Sequence, residues 1–150
     1  MSLLGTRDYY KPFDHPWMYD YFKLQNQMHW MADDVPLNTD VKDWNSISDN
    51  ERNLLTQIFR LFTQSDVDVA AGYINKYMKL FRKPEATMMM SSFANMEGIH
   101  QDAYSILLDT VGMRDSEYKA FAKYEEMLNK HEYIHQFKPT RNNKKEIAKA

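Results

Sequence analysis

The stretch FANMEGIHQDAYSILLDTVGM, residues 93–113, has the periodicity of an α-helix whose apolar face carries polar groups. That face runs through Met89, Phe93, Glu97, His100, Tyr104, Leu107 and Val111. Glu97 and His100 are three positions apart and therefore adjacent on the helix surface, and Tyr104 lies one turn further along. An isolated E-x-x-H is usually a surface pair, and an isolated tyrosine is usually an aromatic with one solvated end. Three such groups in succession on an apolar face instead indicate a buried polar site.

The preceding helix shows the same anomaly at Asp66. A capping box of Ser48 and Glu51 opens this helix, and its apolar face passes through position 66. An unpaired carboxylate in a core is too costly to persist as an ion, so Asp66 is at the solvent margin, paired, protonated or metal-bound. One buried cation would satisfy Asp66, Glu97 and His100 together. Carboxylate and imidazole ligands suit iron, manganese or zinc.

The rest of the chain is predicted to be helices joined by short connections, because four glycines and five prolines leave few breaks. No period-2 segment of useful length and no internal repeat is present. The apolar stripe of the first helix is Trp17, Tyr21, Leu24 and Met28. The predicted elements are an irregular arm over residues 1–13, a helix over 15–29, a connection through 36–43, a helix from 48 to about 81, a helix from 85 to about 110 capped by Gly112, a helix from 115 to 129 or beyond, and the start of another helix over 139–150. The sequence therefore predicts an all-α helix bundle.

Composition narrows the classes of function. The 150 residues carry a net charge of −2 with 27% charged side chains, so neither nucleic acid nor an anionic membrane is indicated as a partner. The chain has no cysteine, which excludes disulfides, thiolate metal ligands and cysteine nucleophiles. No secretory signal and no apolar run of membrane-spanning length is visible, so we expect a cytoplasmic protein.

A second candidate motif, HEYIH, begins at His131 and ends at His135. It matches the H-E-x-x-H pattern of zinc proteases, in which two imidazoles share one helix face. Such a site needs a third protein ligand. Downstream of His135 only Glu146 is available, beyond Pro139, and no strand is present to hold a peptide substrate. We therefore expect HEYIH near the exposed end of a helix, able to capture adventitious zinc but without a catalytic role.

With these residues in view, the chain resembles the small, radical-generating β subunit of class I ribonucleotide reductase over nearly its whole length. In that family, an Asp on one helix and an E-x-x-H on the next bind one metal ion, and a tyrosine four residues after the histidine carries a radical. The matching residues are Asp66, Glu97, His100 and Tyr104, and Trp30 corresponds to a tryptophan on the electron-transfer path. The resemblance implies a ferritin-like helix bundle. The presence of Tyr104 and Glu97 favours a metal-dependent, tyrosyl-radical subtype.

The resemblance also implies missing parts. The family uses a second Glu and a second E-x-x-H on later helices, and the sequence ends before them. We therefore expect residues 1–150 to form a single incomplete ferritin-like domain, with an arm at 1–13, helices over 14–138 and the start of a further helix at 139–150. A fragment is one explanation, and a split gene of the kind found in some phages is the favoured one. The implied partners are a second chain carrying the C-terminal half, the reductase large subunit, and a second copy of the assembled small subunit.

The function implied by the resemblance is storage of an oxidising equivalent. A di-metal centre, with iron favoured and manganese left open, would generate a radical on Tyr104, and the large subunit would use it to reduce ribonucleotides to deoxyribonucleotides. If viral, the protein would act in the host cytoplasm. Two alternatives remain open. One is a ferritin-like iron-binding or ferroxidase protein, and the other is a non-catalytic helical interaction protein in which Asp66 and His100 pair across a buried interface.

Overall fold

The regular structure of the chain is helical throughout the part that is described. A computed structural model describes residues 2–149; Met1 and Ala150, which the predicted domain included, lie outside them. The α-helices in this range are α1 (Pro16–Gln27), α2 (Asp40–Ser46), α3 (Asp49–Gly72), α4 (Met78–Leu80), α5 (Pro84–Thr110), α6 (Ser116–Ala120), α7 (Glu125–Gln136) and α8 (Lys144–Lys149). Residues 2–149 contain no strand, and the predicted all-α architecture is confirmed.

The two long helices, α3 and α5, pack against each other, and α1 packs on the other side of α5. The capping box predicted for α3 is present: Ser48 Oγ accepts a hydrogen bond from the Glu51 N–H, and Glu51 Oε2 accepts one from the Ser48 N–H. Helix α5 ends as predicted, because Gly112 adopts a φ of 74° that reverses the chain. The residues singled out in the sequence therefore lie on two directly packed helices.

Three predicted elements differ from the structure. The helix predicted to reach residue 81 continues past Gly72 as a π-helical turn, Tyr73–Tyr77, before α4. The helix predicted from residue 115 is interrupted by a 3₁₀ turn, Phe121–Lys123, and restarts as α7. The predicted connection after Pro36 contains α2, and the carbonyls of Trp44 within it and of Ile47 just after it accept hydrogen bonds from the Arg52 guanidinium on α3. Apolar periodicity did not reveal α2, because its end is capped by a side chain of the next helix.

The N-terminal arm is irregular, as predicted, but it is anchored. Arg7 forms a buried ion pair with Glu85 in the first turn of α5. The backbone N–H groups of Asp14 and His15 donate to Glu85 Oε1 at 3.0 and 3.2 Å. Lys83, which precedes α5, pairs with the Asp14 carboxylate. The arm and the start of α5 therefore form one polar joint.

Helix α1 uses a different face from its most obvious apolar stripe. Met18 is buried in a small core with Ala86 and Met90 of α5. The stripe of Trp17, Tyr21, Leu24 and Met28 is instead 48–62% exposed. About half of the surface of these side chains is left uncovered by the described residues, so the hydrophobic periodicity predicted the helix correctly but not its packing.

Candidate metal centre

Asp66, Glu97 and His100 come together between α3 and α5. Each offers one ligand atom, and these atoms lie within 4.8 Å of one another. Glu97 and His100 are linked within α5, where His100 Nδ1 lies 3.2 Å from Glu97 Oε2. Asp66 reaches the pair from α3, so the packing of the two helices produces the grouping that their separate patterns predicted.

The surroundings of Asp66 fit a cation. Asp66 is 8% exposed, and its Oδ2 is buried without a hydrogen-bond partner among the described residues. Burial and the neighbouring Glu97 carboxylate raise the pKa of Asp66, against a smaller opposing effect of His100. A buried carboxylate oxygen left without a donor is destabilising. A metal ion would satisfy it and offset the repulsion between the two carboxylates.

Tyr104 lies next to this group, under an aromatic cover. Its ring stacks on Phe62 with centroids 5.8 Å apart and planes 2° from parallel, and Phe59 contacts it at 6.5 Å. Burial, followed by the charge of Asp66, raises the pKa of the Tyr104 phenol. The tyrosine is therefore held protonated beside the carboxylates. Sequence analysis did not identify Phe62 as its stacking partner.

Trp30 lies on the far side of the histidine. Its ring centroid is 6.1 Å from the imidazole of His100, and it belongs to the segment between α1 and the 3₁₀ turn Ala32–Asp34. A cavity of 540 Å³ is lined by Trp30, Phe62, Asp66, Glu97, His100 and Tyr104 among others. All five residues predicted for the site therefore share one cavity. Its walls supply two carboxylates and one imidazole, a donor set suited to iron, manganese or zinc.

The HEYIH motif has an environment that the sequence did not predict. His131 Nδ1 lies 2.7 Å from Asp68 Oδ2, and His135 Nε2 lies 3.1 Å from Asp68 Oδ1. The expectation that only Glu146 was available as a third candidate was wrong, because Asp68 of α3 lies within reach of both imidazoles. Asp68 is not at one of the regularly spaced apolar positions of α3, and no local spacing connects it to residues 131–135. The signal that was present is the second acid of the Asp66-Val67-Asp68 stretch.

Comparisons with known proteins bear on the family of this chain. A sequence model of the family described as "Ribonucleotide reductase, small chain" matches residues 7–150. A "Probable ribonucleoside-diphosphate reductase small subunit" of Invertebrate iridescent virus 6 is 50% identical over 143 residues, covering 95% of this chain and 40% of the relative. A ribonucleoside-diphosphate reductase small chain of Arabidopsis thaliana is 30% identical over 108 residues, covering 72% of this chain and 31% of the relative. The chain thus spans about two fifths or less of these relatives.

Solved structures show the same fold. The ribonucleotide reductase R2 subunit from Clostridium botulinum superposes with a TM-score of 0.75 at 23% identity, over 89% of this chain and 43% of the other. The dimanganese(II)-NrdF of Streptococcus sanguinis gives 0.79 at 18% identity, over 91% and 50%. The predicted ferritin-like architecture is therefore confirmed. No helix in residues 2–149 is long and apolar enough to span a membrane. The family model matches residues 7–150, and the viral relative is 50% identical. The chain therefore belongs to the ribonucleotide reductase small-chain family.

Proposed function

We propose that this chain is the N-terminal part of a class I ribonucleotide reductase small subunit, holding one ion of a di-metal centre and the tyrosine that stores a radical. The observation that carries the proposal is the single cavity that Asp66, Glu97 and His100 share with Tyr104 and Trp30. The unpartnered Oδ2 of Asp66 supports a metal-bound state. Iron is the proposed metal, with manganese as the alternative to be distinguished by metal analysis.

Tyr104 is the proposed radical site. A metal pair bound by Asp66, Glu97, His100 and further ligands would supply the oxidising power for loss of an electron from Tyr104. The phenol is protonated at neutral pH, and burial raises its pKa further, so conversion to a neutral radical requires loss of the proton as well as the electron. The stacked ring of Phe62 shields one face of the tyrosine from water. Trp30, beside His100, is placed to pass the oxidising equivalent out of the site.

The proposed partners follow from the part of the family fold that this chain spans. The three proposed ligands are too few for two metal ions, so we propose that the remaining ligands come from a second polypeptide that carries the C-terminal half of the fold. Two assembled small subunits would form a dimer. The large subunit would bind the ribonucleotide and reduce it to a deoxyribonucleotide, drawing the oxidising equivalent from this chain.

The partner requirement can be tested by loading the chain with iron(II) in air, alone and with a polypeptide that supplies the C-terminal half. We expect no iron pair and no stable tyrosyl signal in electron paramagnetic resonance from the chain alone. Both should appear when the second polypeptide is present. A stable tyrosyl radical in the isolated chain would contradict the requirement for a second polypeptide.

The radical position can be tested in the assembled protein with Tyr104→Phe. Tyr73→Phe is the matched control, because burial and the charge of Glu97 also raise the pKa of Tyr73. We expect the tyrosyl signal to disappear in Tyr104→Phe at unchanged metal content and to persist in Tyr73→Phe. The opposite pattern would assign the radical to Tyr73 and refute the role proposed for Tyr104.

A further inference from the structure

A second cluster of metal-ligand side chains lies on the side of α3 away from Asp66. Asp66 and Asp68 are two positions apart, a rotation of about 200° around a helix, so their side chains leave α3 in nearly opposite directions. Asp68 faces α7, on which His131 and His135 are one turn apart. We propose that Asp68, His131 and His135 bind a divalent transition-metal ion that fastens α7 to α3.

The geometry is close to that of a metal-bound site. The three ligand atoms lie within 4.8 Å of one another. In a tetrahedral zinc site with bonds of roughly 2.1 Å, ligand atoms are about 3.4 Å apart. The two Asp68–histidine distances, 2.7 and 3.1 Å, need to open by less than 1 Å to admit an ion. We expect the nitrogens that face Asp68, His131 Nδ1 and His135 Nε2, to be the ones that bind the metal.

The burial of Asp68 distinguishes this group from a chance surface cluster. Its side chain is 6% exposed, whereas those of His131 and His135 are 30% and 45% exposed. Gln64, one turn earlier on α3, donates a hydrogen bond from Nε2 to Asp68 Oδ1 at 3.1 Å. Such outer partners fix the orientation of a ligating carboxylate. Phe121 packs edge-on against His131 at 5.7 Å and restricts that ring as well.

The surroundings leave room for a further ligand. A cavity of 370 Å³ is lined by Asp68 and His131 together with the apolar side chains of Leu61, Phe121 and Ile134. Three protein ligands with space for water is the arrangement of an open metal site. Two imidazoles and one carboxylate suit Zn²⁺, and they are also the ligand set of non-haem Fe²⁺ sites. The site requires nothing from the proposed di-metal centre, so the two can be tested separately.

The test uses the full chain with Glu97→Gln and His100→Gln, which remove two ligands of the other cluster. Zn²⁺ is added in a calorimetric titration, and Co²⁺ is added to follow its visible absorption. We expect one ion per chain and a rise in melting temperature on binding. His135→Gln removes a proposed ligand. It should weaken Zn²⁺ binding by at least about 10- to 100-fold, which is the typical effect of losing a residue that only hydrogen-bonds to a ligand. His29→Gln, at an exposed histidine of another segment, should leave it unchanged.

The outcomes separate a built site from adventitious binding. The proposal would be overturned if the Glu97→Gln, His100→Gln parent did not bind Zn²⁺. It would also be overturned if that parent and a His135→Gln variant, shown by circular dichroism to be folded, bound Zn²⁺ with equal affinity. X-ray absorption of the Zn²⁺-loaded parent gives a reading that does not depend on how the His135 variant folds. We expect two imidazoles and a carboxylate in the coordination shell. A shell with fewer than two imidazoles would overturn the assignment.

Discussion

Asp66 is the residue at which stability and proposed function conflict. Its carboxylate is buried, has an oxygen without a partner among the described residues, and lies beside a second carboxylate. We expect Asp66→Asn to stabilise the metal-free chain by about 1–2 kcal/mol, because the amide removes the buried charge. Urea unfolding in the presence of a chelator measures this.

The same substitution should destabilise the protein once metal is bound. In the assembled protein loaded with iron, Asp66→Asn removes a proposed ligand, so we expect lower metal content and a lower melting temperature than in the parent. A residue with only a packing role would shift stability in the same direction in both states. That result would remove Asp66 from the proposed ligand set.

The two clusters show which residues a sequence can reveal. Asp66, Glu97 and His100 were predicted because they interrupt an apolar period, where a polar side chain needs an explanation. Asp68 lies off that period, where an acid is ordinary, and its partner histidines are more than sixty positions away. Long-range pairing of ordinary-looking residues leaves no local signal, so only the packing of α7 on α3 revealed it.

At the scale of elements, the joint between the N-terminal arm and α5 depends on buried ion pairs. Glu85 is fully buried, the Arg7 side chain that pairs with it is 3% exposed, and Asp14 is a second, more distant partner of Arg7 at 3.6 Å. We expect Glu85→Gln to lower the free energy of unfolding by about 2–3 kcal/mol, because it removes the nearer of the two carboxylates that pair with the buried Arg7 charge. The control is Glu117→Gln, at the more exposed pair with Arg60, where a loss of about 1 kcal/mol or less is expected. Equal losses in urea unfolding would contradict the argument.

The same joint predicts a dependence on pH. Burial raises the pKa of Glu85, but hydrogen bonds from its own backbone N–H, from Arg7 and from the N–H groups of His15 and Asp14 outweigh burial and hold it below the ordinary 4.5. A lowered carboxyl pKa stabilises the fold above the ordinary value, and this contribution is lost as pH falls through the lowered one. Unfolding free energy should therefore decrease below about pH 4.5 more steeply in the parent than in Glu85→Gln. Parallel acid profiles would show that Glu85 does not contribute.

Helices were predicted where their signals are local and missed where they are not. The capping box of Ser48 and the cap at Gly112 fixed two ends correctly, because each acts within a few residues. Helix α2 receives hydrogen bonds at its C-terminal end from Arg52 of the next helix, and the π-helical turn Tyr73–Tyr77 has no marker in the sequence. Those elements follow from tertiary contacts that periodicity does not record.

At the scale of the whole molecule, one helix face of the chain is apolar and exposed. Trp17, Tyr21, Leu24 and Met28 share a face of α1 and are 48–62% exposed. A contiguous exposed apolar face of this kind is typical of an interaction surface. We expect the isolated chain to bind an apolar dye such as anilinonaphthalene sulfonate and to self-associate as its concentration rises. Adding the second polypeptide should reduce the dye fluorescence, and a chain that binds no dye alone would contradict this expectation.

The overall architecture was the most predictable level, and the packing of its surfaces the least. Glycine and proline scarcity, helical periodicity and the family resemblance all indicated a helix bundle. The face that α1 presents to α5 was not predictable, because Met18 and the stripe through Trp17 both have helical spacing. Periodicity identifies that a helix has an apolar face, but the partner decides which face is used.

Placing Asp66 and Asp68 on opposite sides of one helix has a consequence for magnetic measurements. An α-helix with its side chains is about 10–12 Å across, so ions at the two clusters would be separated by roughly that distance. A paramagnetic ion at Asp68 would then be close enough to broaden the resonance of a radical on Tyr104 and speed its relaxation. Diamagnetic Zn²⁺ would leave the signal unchanged. Comparing the radical linewidth with Co²⁺ and with Zn²⁺ at the second cluster would therefore measure how far that cluster lies from the radical.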